Sequence, residues 1–111
     1  MAYLNSDHVI NYLKNKYAIL STFSDGSDNL KYVEELFEDI LVNSGLTDRQ
    51  SEALRLHYEI GYSQTEIANR LGISIPSVNN RISAAIKRID KELSRREISI
   101  DDVYQRHFTG S

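Results

Sequence analysis

The sequence predicts an all-α fold, and three observations lead to it. Helix breakers are scarce, with five Gly and one Pro in 111 residues, so little interrupts a helical backbone. Apolar residues recur three and four positions apart through most of the chain, the spacing that lines one helical face. Side chains suited to capping stand immediately before several of these periodic segments.

Taken in order, Ser6 is placed to cap a first helix in which Val9, Leu13, Tyr17 and Leu20 follow at intervals of four, four and three. Residues 21–29, containing Ser24, Asp25, Gly26 and Ser27, read as a loop. A second helix is expected from about Asn29 to Val42, because Leu30, Val33, Phe37 and Ile40 repeat at three, four and three, with Leu36 and Leu41 widening the stripe. Gly45 is placed to end it. Thr47 to Gln50 form a capping box, in which the Thr oxygen accepts from a free amide and the Gln reaches back. The helix it opens runs to about Glu59 and buries Ala53, Leu54 and either Leu56 or Tyr58. After Gly61, Ser63 to Glu66 form a second capping box, opening a short helix that stops at Gly72. Ser74 caps a long helix with Pro76 in its first turn, where a missing N–H costs nothing. Its buried stripe is Val78, Ile82, Ala85, Ile86 and Ile89. Ser99 is placed to cap a last short helix carrying Ile100, Val103, Tyr104 and Phe108.

Two helices, about three residues of turn and a longer basic helix describe a helix-turn-helix. Ile67, Leu71 and Ile73 are expected to pack on Val78 and Ile82, while Ala68 lets the helices approach and Gly72 permits the tight turn. The chain therefore divides into an N-terminal helical segment (residues 1–45), the helix-turn-helix (residues 46–96) and a short C-terminal helix or tail (residues 97–111). The first segment carries more apolar surface than an isolated helix can expose. It either closes onto the helix-turn-helix or pairs with another chain, so dimerisation or partner contact is its expected role.

Composition narrows the function. Cysteine is absent, which excludes a disulfide framework, a thiol nucleophile and a zinc finger, and fits a reducing cytoplasm. No apolar run approaches the ~20 residues of a membrane helix, and Met1 to Leu13 lack the features of a secretory signal. A cytoplasmic location without membrane attachment is expected. No paired carboxylates, nucleophile with base, or Gly-rich phosphate loop is found, so an enzyme is the least favoured class and no cofactor or metal is expected. His8, His57 and His107 have no ligand spacing, and Tyr12, Tyr17, Tyr58 and Tyr62 are better explained by helix packing than by base stacking.

The net charge of −3 conceals a strong polarity. Met1 to Asp48 hold three bases against eight acids, a net of −5, whereas Arg70 to Arg96 hold seven bases against two acids, a net of +5. A basic segment of that size attracts phosphate locally, while the acidic half restrains indiscriminate binding. Stepping about 100° per residue along the long helix, with Val78, Ile82, Ala85 and Ile89 inward, points Ser77, Asn80, Ser83, Ala84, Lys87 and Lys91 outward. Asn79, Arg81 and Arg88 fall on the flanks. A helix in the major groove needs base-reading groups near its start and cations farther along. Asn pairs two-pronged with adenine and Arg with guanine. The candidate base readers are therefore Ser77, Asn79, Asn80 and Arg81, and the candidate phosphate contacts are Lys87, Arg88 and Lys91. Ser63, Gln64 and Thr65, and Ser74 at the next helix start, complete the candidate DNA-binding set, offering amides and hydroxyls beside a helix dipole. The competing reading makes the cations a solvated face held by pairs such as Lys87 with Asp90.

Residues Leu46 to Gln50, Ala53 to Tyr58, Gly61 to Ser63, Glu66 to Ala68, Leu71 to Ile73, Val78 to Ile82 and Lys87 to Ile89 together resemble the fourth region of bacterial sigma factors. The likeness is greatest to the extracytoplasmic-function type, with the LuxR-type helix-turn-helix close behind, and covers roughly residues 46 to 93. It implies double-stranded DNA as partner, with RNA polymerase as a second. The polymerase-clamping region that sigma factors carry upstream has no counterpart in the first 45 residues. An N-terminal helical segment followed by a region-four-like domain is similar to small phage and prophage transcription regulators of the autolysin-regulator type. The expected function is a sequence-specific DNA-binding transcription regulator, working as a homodimer that doubles its half-sites. The alternatives are a module that docks on RNA polymerase or another protein without reading DNA, and a small terminase-type DNA-packaging subunit.

Overall fold

A computed structural model describes residues 2–22 and 28–103 of the chain. The elements are α1 (Ser6–Thr22), α2 (Asp28–Asn43), α3 (Asp48–Arg55) continued by a π-helical turn (Leu56–Ile60), α4 (Gln64–Leu71) and α5 (Ile75–Arg96). The fold is all-α. Among the described residues the extended backbone is limited to an isolated antiparallel bridge between Tyr3 and Ser99. Of the expected loop at 21–29, residues 21–22 and 28–29 are helical, so both flanking helices run further than their apolar patterns suggest.

The local signals explain most helix ends. Thr47 Oγ1 accepts from the Gln50 N–H while Gln50 Oε1 accepts from the Thr47 N–H, both at 3.1 Å. Ser63 and Glu66 repeat the reciprocal pair at 3.1 Å. Gly45 at φ +72° and Gly72 at φ +68° end α2 and α4 in the left-handed region, which a side chain would strain. The first helix is capped differently from expectation. Asn5, one residue before Ser6, supplies the cap: its Oδ1 accepts from the Asp7 N–H at 2.9 Å, and His8 Nδ1 accepts from the Asn5 N–H at 3.0 Å. Ser6 is buried, and its N–H is spent on Asp90 Oδ1 of α5 at 3.0 Å.

One core runs through all five helices. Val9 and Leu13 from α1, Ile40 from α2, Ala53 and Leu54 from α3, Ile67 from α4, and Val78, Ala85 and Ile89 from α5 have no exposed surface. The N-terminal helical segment thus packs on the helix-turn-helix and covers its own apolar stripe there. Tyr17 is the exception on that stripe. It is 57% exposed, because Glu59 draws its hydroxyl outward at 3.3 Å. Tyr12 takes the inward place, stacking on Phe37 with ring centroids 4.9 Å apart.

Charged groups brace the same helices. Lys16 of α1 bridges Glu38 (3.0 Å) and Glu59 (3.4 Å), and Arg55 of α3 bridges Glu38 (2.9 Å) and Glu59 (2.8 Å). Arg96 at the end of α5 reaches Asp39 of α2 at 2.8 Å. Beyond α5, the chain turns at Glu97, which has φ +50°, and clasps the N-terminus: Leu4 N–H donates to the Ile98 carbonyl at 2.9 Å and Ile100 N–H to the Ala2 carbonyl at 3.1 Å. Ile98, Ile100 and Val103 pack on the core, and residues 100–103 are helical. Tyr104, Phe108 and His107 lie outside the described residues.

The helix before the turn ends less regularly than a single run to Glu59. Leu56 carbonyl accepts from Gly61 N–H at 3.1 Å and from Tyr62 N–H at 2.9 Å, widening the last turn. His57 Nδ1, which must carry its proton to do so, donates to the Tyr62 carbonyl at 2.8 Å. Leu56 and Tyr58 are both half-buried on the core. Two of the histidines therefore serve the backbone, His8 as a cap acceptor and His57 as a turn donor.

Candidate nucleic-acid interface

The α4–α5 corner is built by local chemistry. Ser74 Oγ accepts from the Ser77 N–H at 3.2 Å and lies 2.9 Å from Ser77 Oγ. Pro76 falls in the first turn of α5. Ile67 and Ala68 of α4 are buried against Val78 and Ile82, with Leu71 and Ile73 half-buried at the rim. This packing fixes α5 as a 22-residue rod, about 33 Å long, with one face committed to the core.

The opposite face is open. Asn79, Asn80, Ser83, Lys87, Arg88 and Lys91 are exposed, while Ser77, Arg81 and Ala84 are half-buried. Among the described residues no side chain partners Asn79, Asn80, Arg81, Lys87 or Lys91, so their donors are free for a ligand. The expected pairing of Lys87 with Asp90 does not form; Asp90 instead accepts from the Ser6 backbone. Arg88 has a structural duty beside its exposure. Its Nη1 donates to the Gly45 carbonyl at 2.6 Å, stitching α5 to the end of α2 and leaving its other N–H groups available.

The start of α4 is less open to anions than the sequence suggests. Ser63 and Thr65 are exposed and Gln64 half-buried. The Ser63 hydroxyl oxygen is already an acceptor in the capping box, and the Glu66 carboxylate lies across the first turn. Hydrogen bonds from the Ser63 backbone and side chain hold that carboxyl below its ordinary range, so it stays ionised and repels a phosphate approaching the same amides. The free amides of Gln64 and Thr65 remain as donors.

Ion pairing sharpens the charge polarity read from the sequence. Arg96 is held by Glu92 and Asp39, and Arg95 pairs with Glu92 through Nε and Nη2 while staying 69% exposed, whereas the other five bases of the Arg70 to Arg96 segment have no ion pair among the described residues. Arg70 lies over the Tyr62 ring at 4.1 Å, an exposed cation on α4 that the sequence reading left out. Burial would raise the Glu38 carboxyl, yet hydrogen bonds from Arg55, Lys16 and Tyr12 outweigh it and hold the group below its usual value. That cluster is a brace between α1, α2 and α3. Among the described residues no His, Asp and Glu side chains group as metal ligands, and no helix is long and apolar enough to cross a membrane.

Residues 44–89 match the family model described as Sigma-70, region 4. The match begins at Ser44, takes in α3, the π-helical turn and α4, and ends at Ile89 on α5. This span is a sigma region 4-like helix-turn-helix. No curated protein and no solved structure matches the chain.

Proposed function

We propose that the protein is a sequence-specific DNA-binding transcription regulator that reads the major groove with α5, over residues 75–93. One observation carries the reading: Asn79, Asn80 and Arg81 near the start of α5, and Lys87 and Lys91 about two and three turns farther on, are presented on a rigid helix without internal partners among the described residues. Base-edge donors followed by cations are what a helix seated between two phosphate backbones requires. In this reading Ser77, Asn79, Asn80 and Arg81 face bases. Lys87, Arg88 and Lys91 face phosphates, and Ser63, Gln64, Thr65 and Ser74 steady the corner against the backbone.

Residues 1–45 act as a brace and offer a surface to a second copy or to RNA polymerase. A homodimer is favoured because a single helix-turn-helix covers little DNA, and linking two half-sites raises affinity without new contacts. The order of segments, a helical brace followed by a region-four-like domain, supports a phage or prophage regulator acting in the cytoplasm of a bacterial host. Selection of bound duplexes from a random pool by the full chain tests the reading. Enrichment of one motif with adenine or guanine at fixed positions is expected; a pool that stays random after repeated rounds contradicts it.

A second reading is favoured by the acidic first half: the helix-turn-helix docks on RNA polymerase or another protein, and DNA is incidental. Binding to polymerase with no salt-dependent affinity for duplex DNA would select it. A terminase-type packaging role would instead show as a ring-sized oligomer in solution.

A further inference from the structure

Arg81, Arg88 and Arg95 recur every seven residues, so they lie along one flank of α5, each about 10 Å beyond the last. Arg88 and Arg95, with Lys91, form one wall of an open groove of about 620 Å³; Asn43 and Ser44, at the end of α2, form the other. The groove's single carboxylate, Glu92, is buried and bonded by Arg95 at 2.8 Å and Arg96 at 2.6 Å. The negative end of α2 is also neutralised. Ser44 Oγ donates to the Ile40 carbonyl (2.6 Å), Asn43 Nδ2 to the Asp39 carbonyl (2.9 Å) and Arg88 to the Gly45 carbonyl (2.6 Å). What faces solvent is cationic: Lys91 has no ion pair among the described residues, and the Arg95 side chain is 69% exposed.

We propose that this groove is a second contact site for duplex DNA, holding the sugar–phosphate backbone outside the major groove that α5 enters, with Arg95 as the added contact and Asn43, whose amide is held by the Asp39 carbonyl (2.9 Å) and carboxylate (2.8 Å), as its neutral opposite wall. The proposal rests on the DNA reading of α5. Two features favour a nucleic-acid backbone over an acidic peptide. The groove is continuous with the outward face of α5 through Lys91, and Arg95 stands about 22 Å along the helix from Asn80, farther than the ~12 Å width of the major groove. Docked with its start on base edges and its axis inclined across the groove, the rod passes over the flanking backbone near Lys91 and Arg95. No aliphatic or aromatic residue lines the groove to anchor a peptide side chain; its walls are polar and charged residues. Arg88, whose Nη1 is held by the Gly45 carbonyl after α2, links this contact to the seating of the N-terminal helices.

Full-length protein titrated against a selected duplex and a scrambled one, over a range of salt concentrations, tests the proposal. Arg95→Gln should lower the log–log salt slope by about one unit on both duplexes, leaving base preference unchanged. Arg95→Lys should restore it. Asn43→Lys should raise the slope by about one unit, and because it leaves Glu92 with both arginines it separates DNA contact from folding. Unchanged slopes for Arg95→Gln and Asn43→Lys, with Lys87→Ala still lowering the slope, would remove the groove from the footprint and leave the α5 reading standing. Wild-type protein with no salt-dependent duplex binding would overturn both. Polyglutamate competing at the groove while duplex binding is unaffected by these variants would assign it to an acidic protein instead.

Discussion

Glu38 shows how single residues hold the helices together. Its carboxylate accepts from Tyr12 Oη (2.9 Å) and Lys16 Nζ (3.0 Å) on α1 and from Arg55 Nη2 (2.9 Å) on α3. Burial alone would raise its pKa, but the three donors bring it below the ordinary 4.5. A carboxyl depressed in the folded state stabilises the fold fully above its unfolded value and loses that contribution as pH falls through the folded one. The melting midpoint should therefore decline as the solution is acidified below pH 4.5, and Glu38→Gln should flatten that decline while lowering the midpoint at neutral pH. A set of melts from pH 7 to pH 3 by circular dichroism checks both. At the two capping boxes, Thr47→Ala and Ser63→Ala should each cost about 1 kcal/mol in chemical denaturation. These boxes were legible because each closes within four residues of sequence. The partners of Glu38 lie 17 to 26 positions away, and no spacing rule points to them.

Helices were read correctly where one face was both periodic and buried, as on α5, where Val78, Ile82, Ala85 and Ile89 are all inside; Ile86, expected in the same stripe, turns toward its edge and is only half-buried. Misreadings gathered at ends, where tertiary contacts choose among local options. Asn5 and Ser6 are both competent caps; Asn5 takes the role, its Oδ1 accepting from Asp7 N–H, while Ser6 is buried in the first turn with its amide bonded to Asp90. Tyr17 fits the period of α1, but its hydroxyl finds Glu59 at the surface. The π-helical turn is written in no sequence pattern, since it arises where Gly61 and Tyr62 both donate to one carbonyl. Glu97 is the strained end. As a non-glycine residue at φ +50° it bears a left-handed backbone that costs about 1 kcal/mol or more, and it is held there because the chain must turn back to pair with residues 2–4. Glu97→Gly should therefore raise the melting temperature, whereas Glu97→Val should lower it; differential scanning calorimetry reads the two shifts directly.

As a whole molecule, the chain is an acidic helical brace and a basic helix-turn-helix sharing one interior. Ile40 of α2 and Leu54 of α3 are equally buried in it, so Ile40→Ala should destabilise the helix-turn-helix as Leu54→Ala does, by about 2–5 kcal/mol in a single cooperative transition. Fluorescence and far-ultraviolet circular dichroism should give coincident denaturation curves for both variants. The sequence already showed the amounts of charge in each half and the corner between α4 and α5, because both are local properties. It did not show that Arg88 is shared with the end of α2, that Arg96 reaches Asp39, or that α1 and α2 close onto the helix-turn-helix, since those facts depend on how distant segments meet. The claim at the centre is that the outer face of α5 engages DNA. Duplex affinity of the wild type, Lys87→Ala, Arg81→Ala and Asn80→Ala, measured as a function of salt, tests it most directly. The account predicts that Lys87→Ala lowers the log–log slope by about one unit without changing base preference, while Asn80→Ala and Arg81→Ala relax preference at individual positions. Affinity, slope and preference that are the same in all four proteins would contradict it.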